Sequence, residues 1–537
     1  MNVKKWFKQT MPPLGSPCHG VVALIVILLF LTAGACQRKD TETSDKKRES
    51  ILDQVVVIVP ELITEIPGVT RWCDQLDLVK QRINVGDAEL YVEEEGKGTP
   101  LILINGGPGG THHGFHPWFS RAKDYARVIY YDQRGCGLSD FKPGENGYSV
   151  DQAISDLDAI RKAKNIDKWV VLGYSFGGFL AQYYTSNYPQ HVAGLILLGA
   201  SPGMWTDTGR SRQNQFLSDR ERARMDEIYK QLRELDKKKN LSHREYIQLL
   251  VYNNHINGDW KRQGFYKPSR ERIAQIALYE WDHDNNFNSI LYDSMSRVDL
   301  TGAFAVNPVP TLILEGKWDL TWGKEKPGIL GKNHPNAKMV IFENAGHGIY
   351  DEATEKFFTV LKDFIQHLPR VPDADIAAYK AFLNDWNKKR RKKEKESPDY
   401  FLKSIGWGQL SSKKLVERYS RSWLEKFKSP IDFLRTGFGL YDLENYQEAL
   451  FVFERMQACA EARKDVDAKA VSLIWQGHML DLMGKRDQAI SRYRQVKEMN
   501  ISNSWMHAQY GMKYQLSPYA AERLKTPFTR KENSSLD

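Results

Sequence analysis

The sequence predicts an α/β protein with a mostly parallel sheet, a helical insertion near residues 201–307 and an all-α C-terminal region. Between residues 80 and 370, short continuous apolar runs alternate with helical stretches, as expected for strands buried on both faces. Residues 169–180 place Gly-x-Ser-x-Gly where such a strand meets a helix. After residue 430, two segments match each other at an offset of 40 residues. These three observations define a sheet, a functional turn and a repeat.

Composition limits the class of protein. The 537 residues are 41% hydrophobic, which suits a globular chain of several domains. The net charge of +9 comes from the two ends, because residues 36–370 carry slightly more acidic than basic side chains. A solvated surface explains this pattern better than a nucleic-acid site does, so no nucleic-acid partner is expected.

The N-terminal residues 1–35 resemble an export signal. Three lysines precede an apolar run at 21–31, and Ala33-Gly34-Ala35 stands before Cys36. The arrangement is similar to the lipobox of bacterial lipoproteins, so Cys36 is expected to carry lipid and to anchor the chain in the bacterial cell envelope. Simple secretion and an uncleaved anchor are the alternatives. Residues 36–79 then form a tether and N-terminal extension, and three scattered cysteines remain, which argues against a disulfide framework.

The predicted strands follow in order. Residues 81–85 and 89–93 alternate apolar and polar side chains around Gly86-Asp87, which predicts a hairpin at the sheet edge. Farther along the chain, Ser149 and Gln152 have the spacing of a capping box, which favours the start of a helix before Ala153. The buried strands are predicted at 101–104, 128–131, 170–172, 195–198, 311–314 and 339–342.

The interval 201–307 interrupts this alternation with charged, helical sequence and several aromatic residues. An insertion at the carboxyl edge of a parallel sheet covers the residues there, so it is expected to determine substrate specificity. Its aromatic residues could equally form a small core of their own.

Ser175, Asp319 and His347 are the predicted catalytic residues. Ser175 occupies the strand-to-helix turn, where flanking glycines leave room for a strained backbone. Asp319 and His347 each follow a predicted strand, in the order nucleophile, acid, histidine. In this reading His347 takes the Ser175 proton while Asp319 orients the imidazole. The alternatives are an aspartate in a turn and a histidine in a surface loop.

Two backbone N–H groups are predicted to stabilise an oxyanion. One belongs to Phe176, directly after Ser175. The other is assigned to Gly107 in the loop Asn105-Gly106-Gly107-Pro108-Gly109-Gly110, which follows the strand at 101–104.

Together with residues 132–139 (DQRGCGLS), these motifs resemble the prolyl aminopeptidase (proline iminopeptidase) family of α/β hydrolases over residues 80–370. The resemblance implies an α/β-hydrolase fold, a cap over the triad and release of N-terminal residues, often proline, from short peptides, without a metal or other cofactor. Asn105 and Cys136 stand where the family has histidine and serine. The family binds the substrate amine through cap glutamates, and Glu280 is the nearest match here.

The C-terminal third is predicted to be helical. Residues 371–430 read as a charged linker that includes the basic run 388–395, residues 431–520 resemble tetratricopeptide repeats, and residues 521–537 form a tail. Gly437, Ala449 and Phe453 recur as Gly477, Ala489 and Tyr493. Because a consensus unit has about 34 residues, the surplus predicts a longer loop around 461–468, and 503–516 is predicted to cap the repeats.

Two classes of function follow. The first is a serine peptidase acting on short peptides, or an esterase or amidase if the amine site is missing. The second is a lipoprotein whose repeats bind a protein partner while the hydrolase is inactive. The intact motifs favour the enzyme.

Overall fold

The computed structural model describes residues 55–141, 147–203, 216–264, 266–319, 321, 325–395, 402, 411–417, 419–427, 429–499, 501 and 516–530. Residues from Val56 onwards belong to one compact unit. The predicted signal peptide, Cys36 and most of the sequence predicted to cap the repeats lie outside the described residues. Among the described helices, none is long and apolar enough to cross a membrane.

Within the described residues, eight strands form one sheet in the order β1-β2-β4-β3-β5-β6-β7-β8. β1 and β2 form the predicted antiparallel hairpin, and β2 also runs antiparallel to β4. All later pairs are parallel. The strands are Val79–Asn84, Glu89–Glu95, Thr99–Ile104, Ala126–Tyr131, Trp169–Tyr174, Val192–Leu198, Thr311–Gly316 and Lys338–Phe342. Every apolar run predicted as a buried strand lies in one of them.

Alternate residues of the central strands enter two cores. Ile102 and Ile104 belong to the cluster on one face, and Leu101 and Leu103 belong to the cluster on the other. Burial on both faces explains why these strands are continuous apolar runs. The carboxyl ends of the parallel strands are thereby held at one edge, where the loops with polar residues begin.

Helices cover the sheet and build the insertion. Those of the hydrolase core are α1 Val150–Ala163, α2 Phe176–Asn187, α8 Lys326–Asn333, α9 Ile349–Glu352 and α10 Thr354–Gln366. The insertion between β6 and β7 contains α3 Asp219–Lys239, α4 His243–Ile256, α5 Trp260–Gln263, α6 Arg270–Gln275 and α7 Phe287–Ser296. A π-helical turn, Ile276–Glu280, directly follows α6.

Residues 59–70, here called the N-terminal strap, lie along the insertion. The side chain of Asn253 pairs with both the N–H and the carbonyl of Ile63, and Val59 N–H donates to Asn257. Tyr279 donates to the Val69 carbonyl. The strap is thus a structural part of the insertion. The sequence predicted only an extension before the first strand and gave no sign that it packs on the insertion.

The segment predicted as a linker, 371–430, is divided between two cores. Helix α11, Asp373–Lys395, buries Ile376, Tyr379 and Leu383 against the hydrolase. Leu424, from the turn Trp423–Lys426, packs instead into the C-terminal core. Because the segment carries many charged residues, these buried apolar positions were not recognised in the sequence. The basic run 388–395 forms the end of α11.

The C-terminal core is helical. Its helices are α12 Ser412–Val416, α13 Pro430–Asp442, α14 Tyr446–Arg463, α15 Val466–Leu482, α16 Arg486–Glu498 and α17 Leu516–Arg523. The loop predicted around 461–468 is wrong, because α14 continues to Arg463 and Asp465 already caps α15. The extra residues lengthen the helices. Part of the predicted tail is packed, since Phe528 stacks on His478.

Candidate active site

Ser175 lies between β5 and α2 with φ 54° and ψ −117°. This positive φ is costly for a residue with a side chain and persists only where the surroundings fix it. A Cβ on Gly173 would lie 2.2 Å from the Gly177 carbonyl oxygen, and a Cβ on Gly177 would lie 2.2 Å from that of Ile104. The two glycines are therefore required for the close approach of strand, turn and helix.

Asp319 and His347 meet at the same edge of the sheet. Asp319 lies three residues after β7, His347 follows β8, and His347 Nδ1 is 2.8 Å from Asp319 Oδ2. Gly199, just after β6, leaves room for the pair, because a Cβ there would lie 3.2 Å from His347 Nδ1. Ser175 and His347 line one cavity. The structure thus pairs His347 with Asp319 and places His347 and Ser175 in the lining of the same cavity.

The Asp319 carboxylate is buried in a network that the sequence did not reveal. Lys326 Nζ lies 2.6 Å from Asp319 Oδ2 and 2.6 Å from Glu315 Oε2, and all three side chains are fully buried. Burial alone would raise the pKa of Asp319, but His347 and Lys326 hold it well below its usual range. Burial raises the pKa of Glu315 to about 7 despite Lys326. The network keeps Asp319 ionised next to His347.

The predicted oxyanion donors belong to the helix start after Ser175 and to the glycine loop that lines the same cavity. Phe176 is the first residue of α2, so its N–H has no acceptor within the helix. Gly107 has φ 118°, and both Gly107 and Ser175 line the cavity. Asn105 donates from its side chain to the Tyr131 carbonyl at 2.8 Å, which fixes the start of this loop. Asn105 therefore has a structural contact at the base of the loop.

The cavity has a volume of about 220 Å³. Its floor is the glycine loop and Ser175, and its walls come from the insertion and from the segment after β8. The Thr111 N–H donates to the Glu280 carbonyl, and Gly110 and Trp281 form an antiparallel bridge. Of the aromatic residues in the insertion, Trp260, Tyr266 and Trp281 line the cavity. Backbone contacts thus fix the insertion to the loop that carries Gly107.

Glu280 lines the cavity but already has a cationic partner. Its carboxylate forms an ion pair with Arg272, whose guanidinium lies 4.9 Å from the Trp72 ring centroid and 5.0 Å from that of Trp118. Trp72 precedes β1 by seven residues, so contact between it and the insertion could not be predicted from their positions in the sequence. Arg272 holds Glu280 in place at the cavity wall.

Asp351 is a cavity residue that sequence reasoning missed. Its side chain is half-buried with Oδ1 shielded from solvent, and among the described residues none donates a hydrogen bond to that oxygen. Burial raises the pKa of Asp351 to about 8, with the neighbouring Glu352 adding to the effect. Its position four residues after His347 was the only signal in the sequence. The cavity therefore holds two carboxyl groups, those of Glu280 and Asp351, in addition to the Glu352 side chain that accepts the Gly346 N–H.

Comparison with known proteins places this geometry in a family. Residues 99–354 match the model of the α/β-hydrolase fold family. A proline iminopeptidase from Saccharolobus solfataricus is 30% identical over 276 residues, covering 51% of this chain and 87% of that protein. One from Heyndrickxia coagulans is 27% identical over 285 residues, covering 51% and 93%.

Among solved structures, an α/β-fold hydrolase from Bacillus anthracis str. Sterne is 19% identical, with a TM-score of 0.40 over 54% of this chain and 99% of that one. Each of these three proteins covers about half of this chain. The chain belongs to the family of α/β hydrolases that includes the proline iminopeptidases, and it is a hydrolytic enzyme.

Proposed function

We propose that this hydrolase is a serine aminopeptidase that removes N-terminal residues, proline among them, from short peptides. The observation that carries the proposal is the shared cavity, in which Ser175 and His347 meet the carboxyl groups of Glu280 and Asp351.

In the proposed mechanism, Ser175 Oγ attacks the carbonyl carbon of the first peptide bond while His347 Nε2 accepts its proton. The resulting oxyanion is stabilised by the N–H groups of Phe176 and Gly107. His347 then protonates the leaving amine, and an acyl-enzyme remains. Water, deprotonated by His347, attacks the ester carbon, and the free amino acid leaves as Ser175 recovers its proton.

The substrate amine is assigned to the carboxyl end of the cavity. Taking an ammonium group out of water costs several kcal/mol unless a carboxylate lies next to it. Arg272 already occupies one oxygen of Glu280, so Glu280 alone offers a weakened charge. Asp351, whose Oδ1 accepts no hydrogen bond from the described residues, supplies the second carboxylate when an ammonium enters.

The test is turnover of a panel of aminoacyl chromogenic amides beside simple esters. We expect hydrolysis of free-amine amides, covalent labelling of Ser175 by a serine-directed phosphonate, and loss of turnover in Ser175→Ala. Ser186→Ala is a matched control, because its hydroxyl bonds only within α2. Hydrolysis of esters alone would favour the alternative, an esterase or amidase on non-peptide substrates. Full activity in Ser175→Ala would overturn the mechanism.

For the C-terminal region we propose two tetratricopeptide-like units, α13–α14 and α15–α16, that present a surface to a protein partner. A Cβ on Gly437 would lie 2.5 Å from the Phe453 ring, and a Cβ on Gly477 would lie 2.4 Å from that of Tyr493. The same close helix contact therefore recurs 40 residues later, as expected for repeats.

We also propose that the enzyme is held in the bacterial cell envelope by lipid on Cys36. The support is the sequence Ala33-Gly34-Ala35-Cys36. Mass spectrometry of the native N-terminus is expected to find a lipid-modified Cys36. An unmodified terminus at another residue would point to secretion, and an intact residue 1 would point to an uncleaved anchor.

A further inference from the structure

Three buried side chains from distant parts of the sequence converge outside the cavity. Cys73 lies in the turn Trp72–Gln75 before β1, Glu93 lies in β2, and His112 lies in the turn His112–Phe115 after the glycine loop. Their side chains are at most 2% exposed. The thiol, carboxylate and imidazole thus form a cluster that the hydrolytic mechanism does not use.

The spacing of the cluster matches a metal site. Cys73 Sγ lies 3.7 Å from His112 Nε2, and Glu93 Oε1 lies 3.7 Å from the same nitrogen. The three ligand atoms are all within 4.8 Å of one another. Zinc bonds of about 2.0–2.3 Å in tetrahedral geometry place ligand atoms roughly 3.3–3.6 Å apart. An ion at the centre therefore requires shifts of only a few tenths of an ångström at the His112 contacts.

The groups around the cluster orient its ligand atoms. His112 Nδ1 lies 2.8 Å from Asp132 Oδ1, so the proton on Nδ1 is fixed and Nε2 faces Cys73 and Glu93. The other oxygen of Glu93 is 3.0 Å from His116 Nε2. A histidine that ligates a metal usually donates its second ring N–H to a carboxylate in this way.

We propose that Cys73, Glu93 and His112 bind one zinc ion, with water as the fourth ligand. Thiolate, imidazole and carboxylate are the ligands that zinc prefers. On binding, the Cys73 S–H bond breaks, the Zn–S bond forms, and the proton passes to solvent. The thiolate and the Glu93 carboxylate together balance the charge of the ion. Lys80 Nζ, 4.0 Å from Glu93 Oε1, and a proton on His112 are the competing cations.

The ion would fix the cavity wall without entering the reaction. Trp72, next to Cys73, stacks on His113 with a centroid separation of 5.8 Å and contacts Arg272, which pairs with Glu280. Zinc would tie the chain before β1 to the glycine loop and so hold Trp72 against Arg272. The ion is thus a structural clamp for the residue that positions Glu280, a role that also holds if the enzyme proves to be an esterase.

The test is metal content and metal titration of the full chain. We expect about one zinc per chain after purification without chelator, and rebinding of Zn²⁺ or Co²⁺ with a dissociation constant below about 1 μM after chelation. The Co²⁺ form should show a thiolate-to-cobalt absorption band. Zinc should raise the melting temperature of the stripped protein, and these effects should disappear in Cys73→Ser. Cys136→Ser, which removes another buried thiol, should retain all of them.

The unmodified chain keeps the proposal falsifiable if Cys73→Ser fails to fold. In that case alkylation of Cys73 in the stripped chain, with and without Zn²⁺, reports the ligand directly, and zinc should slow it at least tenfold. A stripped chain that binds neither Zn²⁺ nor Co²⁺ would overturn the proposal and leave a protonated His112 between Asp132 and Glu93. Unchanged metal content in Cys73→Ser would also overturn it.

Discussion

Lys326 Nζ lies 2.6 Å from Asp319 Oδ2 and 2.6 Å from Glu315 Oε2, with all three side chains fully buried. The same Asp319 oxygen also contacts His347 Nδ1, so Asp319 has a buried cation beside its histidine partner, and Glu315 near the end of β7 contacts the same cation. Removing one partner of a buried ion pair leaves an uncompensated charge, which typically costs about 3–5 kcal/mol. The network connects the stability of the sheet edge to the protonation of the proposed triad.

We expect Lys326→Met to lower the free energy of unfolding by about 3–5 kcal/mol and to weaken the ionisation of Asp319. The pKa of Asp319 should rise, because one of the two groups that lower it is gone. The acid limb of kcat/KM on a small ester should then move to higher pH. Adding Glu315→Gln to Lys326→Met should restore most of the lost free energy of unfolding. It should not return the acid limb to the pH found in the parent protein. An acid limb that stays in place in Lys326→Met would contradict the role assigned to Lys326.

Glu280→Gln and Asp351→Asn should each reduce kcat/KM for free-amine substrates by roughly ten- to a hundredfold, about 1.4–2.8 kcal/mol. Esters without an amine should be spared, because only the ammonium needs the carboxylates. The exposed carboxylate of Glu355, which pairs with Arg121, provides a matched control as Glu355→Gln. Equal losses for both substrate classes would show a structural effect through Arg272. No loss in either variant would show that these carboxylates do not bind the substrate amine.

Asp351 predicts a pH-dependent stability. The pKa of its carboxyl is near the usual 3.8 in the unfolded chain but about 8 in the folded one. Between these values the unfolded state binds fewer protons, so this group makes stability fall as pH rises. Asp351→Asn should therefore match the parent near pH 4 and exceed it at pH 9 in chemical denaturation. A stability difference that is constant with pH would show that the pKa of Asp351 is not raised in the folded protein.

Gly437→Ala and Gly477→Ala test the repeats. The added methyl would lie about 2.5 Å from the facing aromatic ring, so each change should cost about 1–3 kcal/mol in the C-terminal core. Gly328→Ala is a control in helix α8, where nothing lies within 4 Å of the new Cβ. Hydrogen exchange should show faster opening of α13–α16 with the sheet unaffected. Replacing Phe453 by leucine in the Gly437→Ala chain should restore protection if the contact is the cause.

The parts of the fold that could be predicted are those written in local sequence. Buried parallel strands are apolar runs, and the Ser175 turn needs glycines at fixed positions, so the positions of the strands and of the turn could be predicted. Helix α11 was read as a linker because its charges outnumber its three buried apolar residues. The helix ends near Arg463 were misplaced because the helices of this repeat were assumed to have the consensus length. The surplus residues were therefore assigned to a loop.

The candidate site was predictable where its residues follow strands, and inaccessible where contacts cross the chain. Asp319 and His347 come directly after apolar runs, so chain order identified them. The contact of Trp72 with Arg272 spans two hundred positions, and nothing in either segment indicates the other. Lys326 carries no local signal, because its importance comes from burial against Glu315 and Asp319. The only signal of Asp351 was its position after His347.

The N-terminal strap determines how far a recombinant form of this enzyme can be shortened at its N-terminus. A recombinant hydrolase beginning at residue 80, where the first strand was expected, would lose the backbone groups that pair with Asn253 and Asn257. It would also expose the apolar surface of the insertion that Ile63, Ile66 and Val69 cover. A recombinant protein should therefore begin before Val56. A protein that begins at residue 80 is expected to aggregate even though every proposed catalytic residue is present.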